Sequence, residues 1–193
     1  MSRVRTFIAV DPGGDIRNHL VNVQRKLARE AADCKWVEED NLHLTLHFLG
    51  EVRDRDLPML CRAVAKVAEK TPAFAIEAKG IGCFPNPRRP RIVWAGLGVG
   101  AEDVVNLHHA LIEPLESVGC YRREERQYTP HLTLGRTKSD EPSEQLAKVL
   151  PQYQDFRGGD GVIREVLVMS SELTSQGPEY TVLGRGPLKG KGG

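Results

Sequence analysis

The chain has 193 residues, 40% of them hydrophobic, 27% charged and 6% aromatic, with 27 basic side chains set against 26 acidic ones. A net charge of +1 excludes the strongly basic surface of a protein that coats nucleic acid, and equally an acidic, disordered chain, so any anionic ligand must be caught locally. Cys34, Cys61, Cys83 and Cys120 form no close pair of the kind that makes a zinc knuckle or a redox motif, which fits a reducing cytoplasm.

No stretch approaches the ~20 apolar residues of a membrane span, and the opening apolar run stops at Asp11, too short for a signal-peptide core. That run, residues 5–10, reads as a buried strand closed by the turn Asp11-Pro12-Gly13-Gly14, after which Asp15 is placed to cap a helix. Ile16, Leu20, Val23 and Leu27 recur on one helical face, with Arg17, Gln24, Arg25 and Lys26 elsewhere around the wheel. Leu57, Leu60, Val64 and Val67 repeat the spacing in a second helix. Val104, Leu107, Leu111, Leu115 and Val118 make a third, which Pro114 kinks or divides, and a weaker fourth runs from about Ser143 to Leu150. Between them lie β-like segments at 41–49, 74–80, 91–97, 131–136, 162–169 and 180–183. Hairpin-style connections among the crossovers favour a mixed or antiparallel α+β architecture over a doubly wound parallel sheet, and no Gly-x-Gly-x-x-Gly follows the first strand. Residues 186–193, Gly-Pro-Leu-Lys-Gly-Lys-Gly-Gly, read as a flexible tail beyond a single domain, 1–185.

One feature stands above composition. His-Leu-Thr-Leu occurs at residues 43–46 and again at 131–134, 88 residues apart. Composition alone predicts on the order of 10⁻³ further copies of such a tetrapeptide, so the repeat points to a duplicated lobe, each half bringing one copy to a shared surface. In a strand, His43 and Thr45 share one face ~6.6 Å apart and Leu44 and Leu46 share the other. His131 and Thr133 stand likewise over Leu132 and Leu134. The leucines anchor and the polar pair is presented.

Two imidazoles and two hydroxyls facing one space suit a phosphate undergoing in-line displacement. The hydroxyls donate to non-bridging oxygens while one imidazole deprotonates a nucleophile and the other protonates the leaving oxygen. Such chemistry needs no metal or other cofactor. His43 and His47 also have the spacing of two helical metal ligands, but the intervening Leu-Thr-Leu alternates as a strand, which sets the rings ~13 Å apart, and no Glu follows His43. His19, His108 and His109 read as surface or boundary residues. Phe48 falls in phase with the leucines and reads as core, leaving Phe84 as the better candidate to stack on a base.

With these motifs in view, the sequence resembles the 2H phosphoesterase superfamily, and within it the bacterial RNA 2′,3′-cyclic phosphodiesterases, also called 2′-5′ RNA ligases. The likeness takes in Arg5-Thr6-Phe7-Ile8-Ala9-Val10, Trp36, the run from Asn41 to Gly50, Phe84-Pro85, Arg91-Ile92-Val93-Trp94-Ala95-Gly96, the run from Thr129 to Arg136, and Leu173-Thr174-Ser175 with Tyr180. It covers residues 5 to about 185. The resemblance implies a two-lobed, pseudo-symmetric α+β fold with antiparallel sheets lining a central cleft and helices outside. It implies His43 as proton donor and His131 as proton acceptor, roles that spacing alone leaves open because the two copies are equivalent. By the same likeness a 2′,3′-cyclic phosphate would open to a 2′-phosphomonoester, and the reverse reaction with a 5′-hydroxyl would make a 2′-5′ linkage. Arg136 matches an arginine that contacts the phosphate in this family, a rim salt bridge being the other reading. Arg88, Arg89 and Arg91 lie in a proline-punctuated loop that either follows an RNA backbone or is simply solvated. The expected partner is therefore RNA with a cyclic phosphate terminus, or a small cyclic nucleotide, bound by a cytoplasmic monomer. The competing expectation is a module that holds RNA ends without turning them over.

Overall fold

The computed structural model describes residues 2–122, 127–139, 141–175 and 177–191. Among these, nine strands and four helices follow in the order β1 (Arg3–Val10), α1 (Gly14–Glu30), β2 (Cys34–Trp36), β3 (Leu44–Arg53), α2 (Leu57–Lys70), β4 (Phe74–Phe84), β5 (Ile92–Leu97), α3 (Ala101–Val118), β6 (Leu132–Thr137), α4 (Glu144–Val149), β7 (Arg157–Ile163), β8 (Glu165–Thr174) and β9 (Gly177–Pro187). The sheet order is β7-β4-β5-β6-β3-β1-β8-β9, with β2 added on β6, and the paired strands are antiparallel throughout. The fold is thus α+β, a curled antiparallel sheet around a cleft. Two lobes of four strands meet where β3 lies beside β6.

The repeat extends well past the tetrapeptide. Adding the same 88 residues carries β1 onto β5, α1 onto α3, β3 onto β6, α2 onto α4 with the 3-10 turn Leu150–Tyr153, and β4 onto β8. Each lobe's first helix crosses over. α1 leaves β1 in the first lobe and packs on β7 in the second, whereas α3 leaves β5 in the second and packs on α2 and β3 in the first. The apolar stripes seen in the sequence explain the packing: Ile16, Leu20, Val23 and Leu27 of α1 are buried, as are Val104, Leu107, Leu111 and Leu115 of α3. The four motif leucines, at 0–2% exposure, sit in the same core.

Several expectations change. Gly13, not Asp15, caps α1; Asp15 lies inside its first turn and accepts a hydrogen bond from the Asp160 amide at 2.9 Å. Pro114 does not divide α3, which runs unbroken past it to a left-handed Gly119. The expected strand at 162–169 is two, because the chain reverses at Arg164 between β7 and β8. Gln24, expected on the polar side of α1, is buried. The flexible tail is largely pinned: residues 186 and 187 belong to β9, and the amides of Leu188, Lys189 and Gly190 donate to Arg164, Ala68 and Thr71 at 2.8, 3.2 and 3.0 Å. No helix is long and apolar enough to cross a membrane among the described residues, and all four cysteines are free.

Candidate active site

The motif strands β3 and β6 are paired at Leu44–Leu132. Continued one residue each way, that antiparallel register sets His43 opposite Thr133 and Thr45 opposite His131. All four polar side chains then share a face, and the two histidines occupy a diagonal that spans ~7–8 Å in such a pair. A local twofold axis passes through the leucine pair.

Both rings are held alike. The Asn41 carbonyl accepts from His43 Nδ1–H at 2.7 Å, and the Thr129 carbonyl accepts from His131 Nδ1–H at 2.7 Å. A carbonyl only accepts, so each neutral ring carries its proton on Nδ1 and leaves Nε2 bare for chemistry. The Thr45 hydroxyl donates to His43 Nε2 at 2.9 Å. Aromatic rings flank each imidazole: Phe7 and Tyr180 lie 5.0 and 5.3 Å from His43 by centroid, Phe84 and Trp94 5.1 and 6.2 Å from His131. Burial pushes both imidazoles below the ordinary histidine value, and for His43 the neighbouring His131 adds to the effect. Phe84, expected to stack on a base, already has its ring edge-on to His131 and tilted against Trp94.

A β-bulge decides what comes next on each strand. On β3, Leu46 is the extra residue between partners Ile8 and Ala9 of β1; on β6, Leu134 is the extra residue between Val93 and Trp94 of β5. An extra residue resets the inside-outside alternation. His47 therefore follows Leu46 into the interior, and Phe48, expected in the core, turns out to 65% exposure over the cleft. At the matching place Gly135 is buried and Arg136 emerges over the same cleft. Gly135 has to lack a side chain, because a Cβ there would stand 2.7 Å from the Trp36 ring and 2.9 Å from the Lys35 carbonyl.

Bulges release carbonyls from the ladder, and buried carbonyls need donors. In the second lobe Gln24 Nε2 of α1 and the Val37 amide both donate to the Leu134 carbonyl at 2.8 Å. In the first lobe His108 Nδ1–H of α3 donates to the Leu46 carbonyl at 2.9 Å, and the Tyr128 hydroxyl to the Thr45 carbonyl at 2.7 Å. The rings of His47, His108 and Tyr128 stack in file, 4.1 and 3.9 Å apart by centroid, and His47 Nε2–H donates to the His108 carbonyl at 2.9 Å. Burial drives the His47 pKa down to about 4. His108 is therefore a structural partner of the first motif rather than a surface residue. Because Thr129 orients His131, Tyr128 one residue earlier ties the second histidine's support to the first motif strand.

A cavity of about 1400 Å³ opens over this face. Thr45, His131, Arg136 and Arg91 line it; His43 and Thr133 stand beside it, His43 between Phe7 and Tyr180. Arg88 and Arg89 are exposed outside it, their amides bonded to Asn86 Oδ1 at 3.1 Å. Among the described residues no group of three or more His, Cys, Asp or Glu side chains converges on a point that would hold a metal ion. Sequence reasoning missed Phe7, Tyr180 and Tyr128 around the motif residues, and Gln24 as a brace behind the second motif strand. Phe7 on β1 and Tyr180 on β9 reach the His43 ring from strands distant in sequence, and nothing in their spacing marks them.

Two His-x-Thr-x strands paired side by side on the floor of a cleft, each histidine anchored through Nδ1, are the arrangement expected of a 2H phosphoesterase. Residues 10–94 match the family of LigT-like phosphoesterases. The RNA 2′,3′-cyclic phosphodiesterase of Methanothermobacter thermautotrophicus is 37% identical over 179 residues, 93% of this chain and 96% of that protein. Its namesake from Aquifex aeolicus is 30% identical over 183 residues, covering 95% and 96%. A crystal structure from Thermus thermophilus superposes with a TM-score of 0.82 at 29% identity over 97% of this chain and 100% of that one, and E. coli LigT with 3′-AMP gives 0.74 at 25% over 97% and 99%. The chain belongs to the LigT-like phosphoesterase family.

Proposed function

We propose that this enzyme opens 2′,3′-cyclic phosphate ends of RNA to 2′-phosphomonoesters, with His131 as general base and His43 as general acid. The observation that carries the reading is the fourfold set of motif side chains about the Leu44–Leu132 pair. His131 Nε2 takes a proton from water as its oxygen attacks phosphorus; the P–O3′ bond breaks, and His43 Nε2–H delivers its proton to O3′. The hydroxyls of Thr45 and Thr133 and the guanidinium of Arg136 hold the non-bridging oxygens. Exchange with solvent then restores both rings.

Burial suits the base, since a lowered pKa leaves His131 unprotonated near neutrality. It works against the acid, and here the substrate helps: an anionic phosphate between the rings favours the protonated form of His43. With an RNA 5′-hydroxyl in place of water, the same displacement breaks P–O3′, forms P–O5′ and leaves a 2′-5′ linkage. The names of the relatives, which cover nearly the whole chain, support the substrate assignment.

The test is the product isomer released from an oligoribonucleotide 2′,3′-cyclic phosphate, read by chromatography against both standards. A 2′-phosphate is expected. A 3′-phosphate would mean that the other ester bond breaks, and binding without turnover would reduce the protein to a phosphate-holding module.

A further inference from the structure

A second basin of about 560 Å³ opens beside the main cleft and shares two of its walls, Phe48 and Tyr121. From Phe48 it follows β3 outward to Arg53, a run of roughly 17 Å at ~3.3 Å per residue. The two hollows therefore adjoin at Phe48 and Tyr121, on the first-lobe side of the cleft that His131 lines. The basin carries Arg3, Arg53 and Arg122 against Glu51 and Asp56. Arg53 is tied to Asp56 at 2.7 Å, whereas Arg3 and Arg122 are exposed and make no ion pair with the described residues. An exposed ring followed by two uncommitted guanidinium groups is the arrangement that takes a stacked base and then the next phosphates of a single strand. In a chain of net charge +1 such a local concentration supplies attraction that the surface as a whole does not.

In-line geometry says which strand would lie there, given the acid and base roles proposed above. O3′ departs toward His43, so the ribose and everything 5′ of it stay on the His43 side, over the first lobe. The nucleophile arrives from the His131 side. We infer that the first-lobe basin is a subsite for the phosphodiester chain on the 5′ side of the cyclic end, which makes the preferred substrate an oligoribonucleotide rather than a mononucleotide.

The experiment compares kcat/KM for a trinucleotide ending in a 2′,3′-cyclic phosphate with that for a nucleoside 2′,3′-cyclic monophosphate. It uses the wild type, the double variant Arg3→Ala/Arg122→Ala, and a charge-matched control, Arg25→Ala/Lys26→Ala, on the exposed side of α1. The wild type should favour the trinucleotide, with the ratio falling on the order of tenfold in the basin variant and holding in the control. No wild-type preference, no fall, or an equal fall in both variants overturns the subsite. Failure of the wild type to open either substrate refutes the proposed reaction instead. The subsite is then decided by fluorescence anisotropy with the same trinucleotide bearing a 2′-phosphate. Loss of two phosphate contacts makes the slope of log affinity against log salt shallower by about 1.4, and an unchanged slope overturns it.

Discussion

The two motif strands agree for six positions in backbone and for only four in sequence. His-Leu-Thr-Leu, the carbonyl bond at Nδ1 and the bulge at the second leucine are common to both. The residues after the bulge diverge: His47 and Phe48 in one lobe, Gly135 and Arg136 in the other. The shared part builds two equivalent imidazoles. The divergent part gives one side of the cleft an apolar ring and the other a guanidinium, and it changes how each strand is braced. The first motif leans on a file of rings, and the second on one glutamine and a closely packed indole.

Loss of a residue common to both strands should cost the most. His43→Ala and His131→Ala should each lower the rate of cyclic phosphate hydrolysis by ~10² to 10⁴, and the double variant should fall little further, because the two groups act as a unit. Additive losses would mean that they do not serve one displacement. Arg136→Ala should cost on the order of 10² through weaker stabilisation of the transition state, with Arg136→Lys recovering only part of it, since an ammonium cannot reproduce the planar fork. Tyr128→Phe keeps the ring stack and removes the donor to the Thr45 carbonyl. A kcat lowered by roughly tenfold with KM little changed is the expected sign of displaced catalytic groups, and a KM effect alone would count against it. Gln24→Ala leaves the Val37 carbonyl without its side-chain donor and should destabilise the fold by about 1 to 3 kcal/mol in denaturant unfolding, while kcat per folded molecule holds.

The two histidines also set the expected pH dependence. The proposed reaction needs neutral His131 and protonated His43, and burial lowers both pKa values in the free enzyme. Activity measured as kcat/KM should therefore rise as His131 loses its proton, fall as His43 loses its own, and peak on the acid side of an ordinary histidine. In kcat, where phosphate is bound, the falling limb should move to higher pH because the anion holds the His43 proton. A kcat/KM that stays flat from pH 6 to 9 would remove His43 as the acid.

Much of this site was legible in the sequence because its core is local. Four residues with period two place a histidine and a threonine on one face and two leucines beneath, and the 88-residue offset recurs in the order of the elements. The alternation failed at Phe48, since a bulge follows from pairing with a neighbouring strand and leaves no mark in the strand's own pattern. Gln24 and His108 failed for a related reason: their partners are carbonyls released by those bulges, 110 and 62 residues away in sequence. Residues 186–190 read as a tail on composition, yet their backbone pairs with β8 and the end of α2, which glycine and lysine content does not forbid.

The twofold axis through Leu44 and Leu132 has a consequence for the sense of the reaction. Two like strands related by rotation have no inherent front or back, so either histidine is equally fit to give or to take a proton. Direction enters through what breaks the symmetry, and at the cleft one such break is Phe48 against Arg136. Exchanging those two side chains is thus a question about which way substrate lies across an otherwise reversible pair.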